Sequence, residues 1–192
     1  MRKKDRIQSV RGVVFVNLQK RYVVRTASLW GFVRSLKRRL QLANREFNVC
    51  FVDDNAIRHL NLAYRDKNKP TDVLSFAWDE PAGAFPPAPP VPSGRGDHSG
   101  LKNFLGDVVI SVETAQRNAA AEGHSTLDEI RWLILHGVLH MLGYDHESDH
   151  GEMVALELAL REQLGVAGGP GEKKSQKAKR KSQKAKVKAD IV

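Results

Sequence analysis

Three histidines stand close together at residues 136–146, which read HGVLHMLGYDH. His136 and His140 are four apart, and on an α-helix that spacing sets both imidazoles on one face, about one turn from each other. His146 follows Gly143 by three residues. A glycine there can take the left-handed conformation that ends a helix, and the turn after it can carry His146 back towards the pair. Three neutral imidazoles converging on one point make an open zinc site, with the fourth position left for water or substrate. Such an ion lowers the pKa of its bound water to about 7 and can polarise a phosphoryl oxygen. The expectation is one Zn2+ per chain, held by His136, His140 and His146.

Residues 130–142, IRWLILHGVLHML, are apolar almost throughout apart from the two histidines, which predicts a buried helix. Buried imidazoles need partners, and this favours ligands over three histidines packed in a core. The same spacing occurs in the long zinc-protease motif H-E-x-x-H-x-x-G-x-x-H. The departure is position 137, where glycine replaces the general-base glutamate. Glycine cannot take a proton, which argues against peptide hydrolysis by that route.

Two more stretches precede the histidines: YRDKNKPTDVLSF at residues 64–76 and LGDVVI at residues 105–110. Together and in this order, the three resemble the signature of the YbeY family, metal-dependent endoribonucleases of ribosomal RNA maturation. The resemblance spans roughly residues 12–165. It implies a zinc-dependent, single-strand-specific endoribonuclease in ribosomal RNA processing, with roles at the 3′ end of 16S rRNA and in ribosome quality control. The implied substrate is small-subunit ribosomal RNA, and the implied partners are ribosomal proteins and an Era-type GTPase. Within the second stretch, residues 65–69 read as a basic turn closed by Pro70, and Arg65 there is the expected catalytic residue. A guanidinium grips phosphate through two parallel hydrogen bonds, keeps its charge, and can neutralise charge developing on the scissile group. Lys67 and Lys69 are expected to contact the RNA backbone. The residues leave open whether metal-bound water or the substrate's 2′-hydroxyl attacks.

Other candidates are weaker. Asp107 could orient a histidine from behind, but reads better as an ordinary strand-end aspartate. Asp145 either orients a ligand or shapes the turn. His150 reads as an exposed residue in the first turn of a helix, and His59, His98 and His124 as bystanders. Two rival functions stand beside the nuclease: a non-catalytic ribosome-assembly factor with a structural metal, and a zinc protease.

The 192 residues suit one domain with a good-sized core, and 41% hydrophobic content excludes wholesale disorder. No apolar stretch reaches the length of a membrane span, and residues 13–16 are too short for a signal-peptide core. A single cysteine, Cys50, allows no intrachain disulfide and is expected to be buried and inert. These features point to a cytoplasmic protein with no membrane partner. The net charge of +9 is uneven: residues 169–192 hold nine basic and two acidic residues, +7, which leaves +2 for the rest. The KSQKAK hexamer occurs twice in that tail, which has almost no apolar residues and reads as a disordered segment attracted to RNA phosphates or simply solubilising.

The domain is therefore expected over residues 1–168. Strands are predicted at residues 13–18, 46–52, 73–77 and 104–112. Helices are predicted from Thr26 or Ser28 to about Leu42, after Asp53 or Asp54, over residues 113–122, after Ser125 or Thr126, and from a capping box of Asp149 and Glu152. The first helix carries Arg34, Lys37, Arg38 and Arg39 on an outer face, read as solvated rather than RNA-facing. The last helix is expected to bury Val154, Leu156, Leu158, Leu160 and Leu164. A proline- and glycine-rich insertion fills residues 81–100. Interleaved strands and helices give a small α+β domain with one mixed sheet of about four strands.

Overall fold

A computed structural model describes residues 7–10, 12–78, 103–145 and 149–167. The insertion at 81–100, the tail at 169–192, His98 and His146 lie outside these residues. The described chain runs β1 (Ile7–Val10), β2 (Val13–Asn17), α1 (Ala27–Arg39), β3 (Glu46–Val52), α2 (Asp54–Arg65), β4 (Val73–Ala77), β5 (Phe104–Ser111), α3 (Val112–Glu122), α4 (Thr126–Met141) and α5 (Glu152–Leu164).

The sheet order is β1-β2-β3-β5-β4. The three central strands are parallel, and an antiparallel strand closes each edge. The parallel centre follows from the crossovers: β2 and β3 are joined through α1, and a parallel pair needs such a return. Phe15, Phe47, Val49, Phe51, Val108 and Ile110 fill one face and pack beneath α1, α4 and α5. The other face is thinner, with Ile57 of α2 packed on Val52, Leu74 and Val109.

The fold class stands as expected, a single α+β domain with a mixed sheet, but the sheet has five strands rather than about four. The extra strand, β1, reads IQSV and keeps its side chains largely in solvent, so it carries no alternation that would mark it. Pairing with β2 sets its position instead.

Helix starts follow the predicted chemistry in part. The Asp53 carboxylate accepts from the amide of Ala56 at 2.8 Å, and the Ser125 hydroxyl accepts from that of Asp128 at 3.1 Å. Thr26 stands at the N-cap of α1, but its hydroxyl turns away to Gln8 on β1. At α5 the two capping residues act one register off. Asp149 accepts from the amides of Gly151 and Met153, while Glu152 accepts from that of His150.

The buried side of α5 is also corrected. Val154 and Leu158 are exposed; Met153, Glu157, Leu160 and Arg161 face inwards. Counting only apolar residues hid this, because two of the four inward residues are charged. Cys50 is half-buried rather than buried, and burial pushes its thiol up to about 11, so it stays protonated at neutral pH.

Candidate metal centre

α4 is positioned by its caps and by close contact with the sheet. Ser125 caps its start. Its end is a Schellman turn: Gly143, at φ +88°, donates to the His140 carbonyl at 2.9 Å and Tyr144 donates to the Leu139 carbonyl at 3.1 Å. Glycine ends the helix as expected and directs the chain back from the His140 end.

Gly137 explains how α4 lies so near the sheet. A Cβ at this position would stand 2.8 Å from Val108 Cγ1 on β5 and 2.9 Å from Ser75 Oγ on β4. Position 137 therefore faces the sheet, and a glutamate there would collide with it. The general base of a zinc protease has no room, whatever its chemistry. Gly137→Ala is expected to lower stability by up to about 2 kcal/mol, measured by urea denaturation. The overpacking cost of roughly 1–3 kcal/mol outweighs the roughly 1 kcal/mol that alanine gains as a helix former.

With Gly137 against the sheet, His136 and His140 point elsewhere, and their Nε2 atoms approach to 3.1 Å. Two nitrogens bound at about 2.0–2.1 Å to one tetrahedral zinc lie about 3.3 Å apart. The pair therefore fits two ligands of a single ion. Both imidazoles are partly exposed, so the pair is reachable from solvent.

Behind His136 stands Glu157 of α5, its Oε2 3.2 Å from His136 Nδ1. The other carboxylate oxygen accepts from the indole N–H of Trp132, one turn before His136 on α4. With its proton on Nδ1, His136 donates to Glu157 and turns the Nε2 lone pair towards His140. This is the carboxylate–histidine arrangement that fixes tautomer and ring orientation at metal sites. Sequence reasoning missed Glu157; of the carboxylates it weighed, Asp107 was read as an ordinary strand-end aspartate rather than a histidine's partner. Asp107 accepts from Asn48 at 2.8 Å, across β3 and β5. The available signal was a glutamate placed with Leu160 and Leu164 on the inward side of α5. Glu157→Ala is expected to weaken zinc binding ten- to a hundredfold while leaving one site per chain, measured by competition with a chelating dye.

The remaining residues fall as follows. His146 lies outside the described residues, and among the described residues there is no group of three or more His, Cys, Asp or Glu able to hold a metal. Asp145 is half-buried, and its carbonyl accepts from Asp149. His150 is exposed, just before α5 rather than within it. His124 is buried and paired with Glu129 at 2.7 Å. Burial pushes the Glu129 carboxyl up, against the opposing pull of His124.

Arg65 belongs to the last turn of α2, not to the turn after it. That turn begins with Asp66, left-handed at φ +55°. Asn61 holds it in shape, its side chain donating to the Lys69 carbonyl at 2.8 Å and its own carbonyl accepting from Lys67 at 3.2 Å. Arg65, Lys67 and Lys69 are all exposed. The structure places Arg65 and the histidines on opposite faces of one edge strand. Tyr64, beside Arg65, packs edge-on against Phe76 of β4 at 4.9 Å, while the adjacent Ser75 faces α4 at Gly137.

These features define a class: an α+β domain whose buried helix presents two convergent imidazoles, braced by a carboxylate, at an accessible site. Comparison with known proteins is specific. The profile of the family described as "Endoribonuclease YbeY" matches residues 19–165. The chain is similar to proteins named Endoribonuclease YbeY from Aquifex aeolicus (42% identity over 134 residues, 70% of this chain and 77% of that one), from Nautilia profundicola (42% over 125 residues, 65% and 76%) and from Helicobacter hepaticus (46% over 121 residues, 62% and 68%). It shares its fold with the solution structure of TM1509 from Thermotoga maritima, at a TM-score of 0.50 and 21% identity, over 78% of this chain and 88% of that one. The chain belongs to the YbeY endoribonuclease family.

Proposed function

We propose that this chain is a zinc-dependent endoribonuclease that cuts single-stranded RNA during ribosomal RNA maturation. Family membership supports an RNA-cleaving hydrolase. The observation that carries the metal is the pair of Nε2 atoms 3.1 Å apart with Glu157 behind one ring. In this reading His136, His140 and His146 hold the ion. When bound, it supplies Lewis acidity at a phosphoryl oxygen and a source of hydroxide at neutral pH.

The chain's own residues do the rest. Glu157 keeps His136 in the ligating tautomer. Arg65 grips the scissile phosphate and neutralises its developing charge, and Lys67 and Lys69 hold the backbone beside it. The substrate is the small-subunit rRNA near its 3′ end, the setting is the cytoplasm, and ribosomal proteins and an Era-type GTPase are the partners that bring it there. Among the described residues no helix is long and apolar enough to cross a membrane.

The test is zinc content measured beside cleavage of a defined 16S 3′-end RNA, with and without a chelator. One zinc per chain, and activity lost on chelation and regained with zinc, is the expected result. Undiminished cleavage by metal-free protein would overturn the zinc assignment. A metal-loaded protein that leaves every RNA intact would favour the assembly-factor reading.

A further inference from the structure

A second feature lies away from the histidines, between α1 and the β1–β2 hairpin. A groove of about 900 Å³ opens there. Val10 and Trp30 give it apolar surface above the buried Val13, and Arg34, Arg38 and the largely buried Lys37 line it with positive charge. Trp30, Arg34, Lys37 and Arg38 are spaced four, three and one apart, which places them along a single stripe of α1. Trp30 is half-buried, packed against Phe15 with ring centroids 4.6 Å apart at 74°. Among the described residues that line the groove, none is a carboxylate. Burial pulls the Lys37 ammonium below its usual range, against the opposing pull of Glu46, so Arg34 and Arg38, both exposed, carry most of the attraction for an outside anion.

The location adds a second argument. Val13 begins β2, and Arg38 is next to the last residue of α1, so the groove lies where the parallel strands start. α4 runs against β5, since Gly137 stands over Val108 while the sulfur of Met141 stands by Gly106. The C-terminal end of α4, with His140, therefore lies at the same end of the sheet as the groove. Two to three strand spacings separate β2 from β5 and β4, about 10–15 Å. A flexible strand of a few nucleotides can cover that span.

We propose that this groove holds a single-stranded segment of RNA that flanks the cleaved phosphodiester, with a base against Trp30 and phosphates on Arg34 and Arg38. The inference rests on the RNA-cleaving reading and extends it to a second contact. Aromatic surface beside a basic wall is what single-strand binding requires, since every base has a face to stack and every nucleotide a phosphate. A flat bilayer cannot enter a concavity of this kind. The helical stripe read from sequence as a solvated face becomes, in this view, one wall of a binding groove.

The experiment measures binding rather than cleavage. Full-length protein, with chelator present so that RNA stays intact, is titrated with a fluorescein-labelled 20-nucleotide oligouridylate across a series of salt concentrations. Arg34→Glu/Arg38→Glu is compared with Lys20→Glu/Arg25→Glu, which makes the same charge change in the exposed segment between β2 and α1, at the other end of the sheet. Losing two phosphate contacts on a single strand should lower the slope of log K against log salt by about 1.4, and only in the groove variant. Trp30→Leu should weaken binding about tenfold with little change of slope. Equal slopes in the two double variants, or no difference from wild type, would overturn the proposal. So would equal weakening towards an RNA duplex, or a poly-glutamate probe displaced by the groove variant alone while RNA binding holds, which would assign the groove to an acidic protein. The cleavage reading is judged separately, by zinc-loaded wild-type protein on RNA, and can fail while the groove result stands.

Discussion

His140→Ala is expected to strip the protein of stoichiometric zinc and reduce RNA cleavage to background. In the proposed site His140 would hold the ion together with His136, their Nε2 atoms 3.1 Å apart, so its loss leaves a single described imidazole at the centre. Zinc sites of four ligands bind with an apparent 10–16 kcal/mol, so one ligand is worth about 3 kcal/mol, a factor of more than a hundred in affinity. The effect should not come from unfolding. The His140 side chain is partly exposed, while the core beside it is built by Leu139, Val138 and Leu135. His136→Ala should behave the same way, and His150→Ala should not, since His150 is exposed and lies beyond the turn. The measurement is metal content by atomic emission after dialysis, alongside the unfolding midpoint. One zinc per chain in a folded His140→Ala protein would remove the assignment.

How much of this was legible in the sequence varies with the kind of signal. The histidine helix was legible because its evidence is local: two imidazoles at helical spacing, a serine before, a glycine after. The structure bears out the helix, both ends and the convergence of His136 with His140. Gly137 was read only as a missing base. The glycine also lets α4 approach Val108 and Ser75, a contact between segments that spacing along the chain cannot express. Glu157 was not legible for the same reason. It lies 21 residues from His136, on a helix whose inward side was sought among leucines and valines, and only packing of α5 on α4 brings them together. β1 escaped notice because an edge strand half in solvent needs no apolar pattern. The position of Arg65 was misread by one element boundary, since the helix continues through it and the left-handed turn falls on Asp66.

That boundary sharpens what to expect from Arg65. Arg65→Ala should keep its zinc and its fold and lose most of its cleavage rate, on the order of a hundredfold. Stability should hold because the side chain is exposed, and the neighbouring Tyr64 supplies the packing of this turn on Phe76. Asn61 holds the following loop through the backbone of Lys67 and Lys69, independently of the Arg65 side chain. Arg65 is fixed to the last helical turn, on the edge strand β4 whose other face meets the histidine helix. A guanidinium reaching around that edge would meet a phosphate held beside His140. If its contact tightens as charge develops, removal costs about 3 kcal/mol of transition-state stabilisation, which is the hundredfold. Arg65→Lys should restore little, because an ammonium cannot make the paired contact with two phosphate oxygens. Single-turnover cleavage with enzyme in excess separates this chemical step from binding. A wild-type rate for Arg65→Ala under those conditions would leave the metal centre as the whole of the catalytic apparatus proposed here, and would make Arg65 a surface residue of α2.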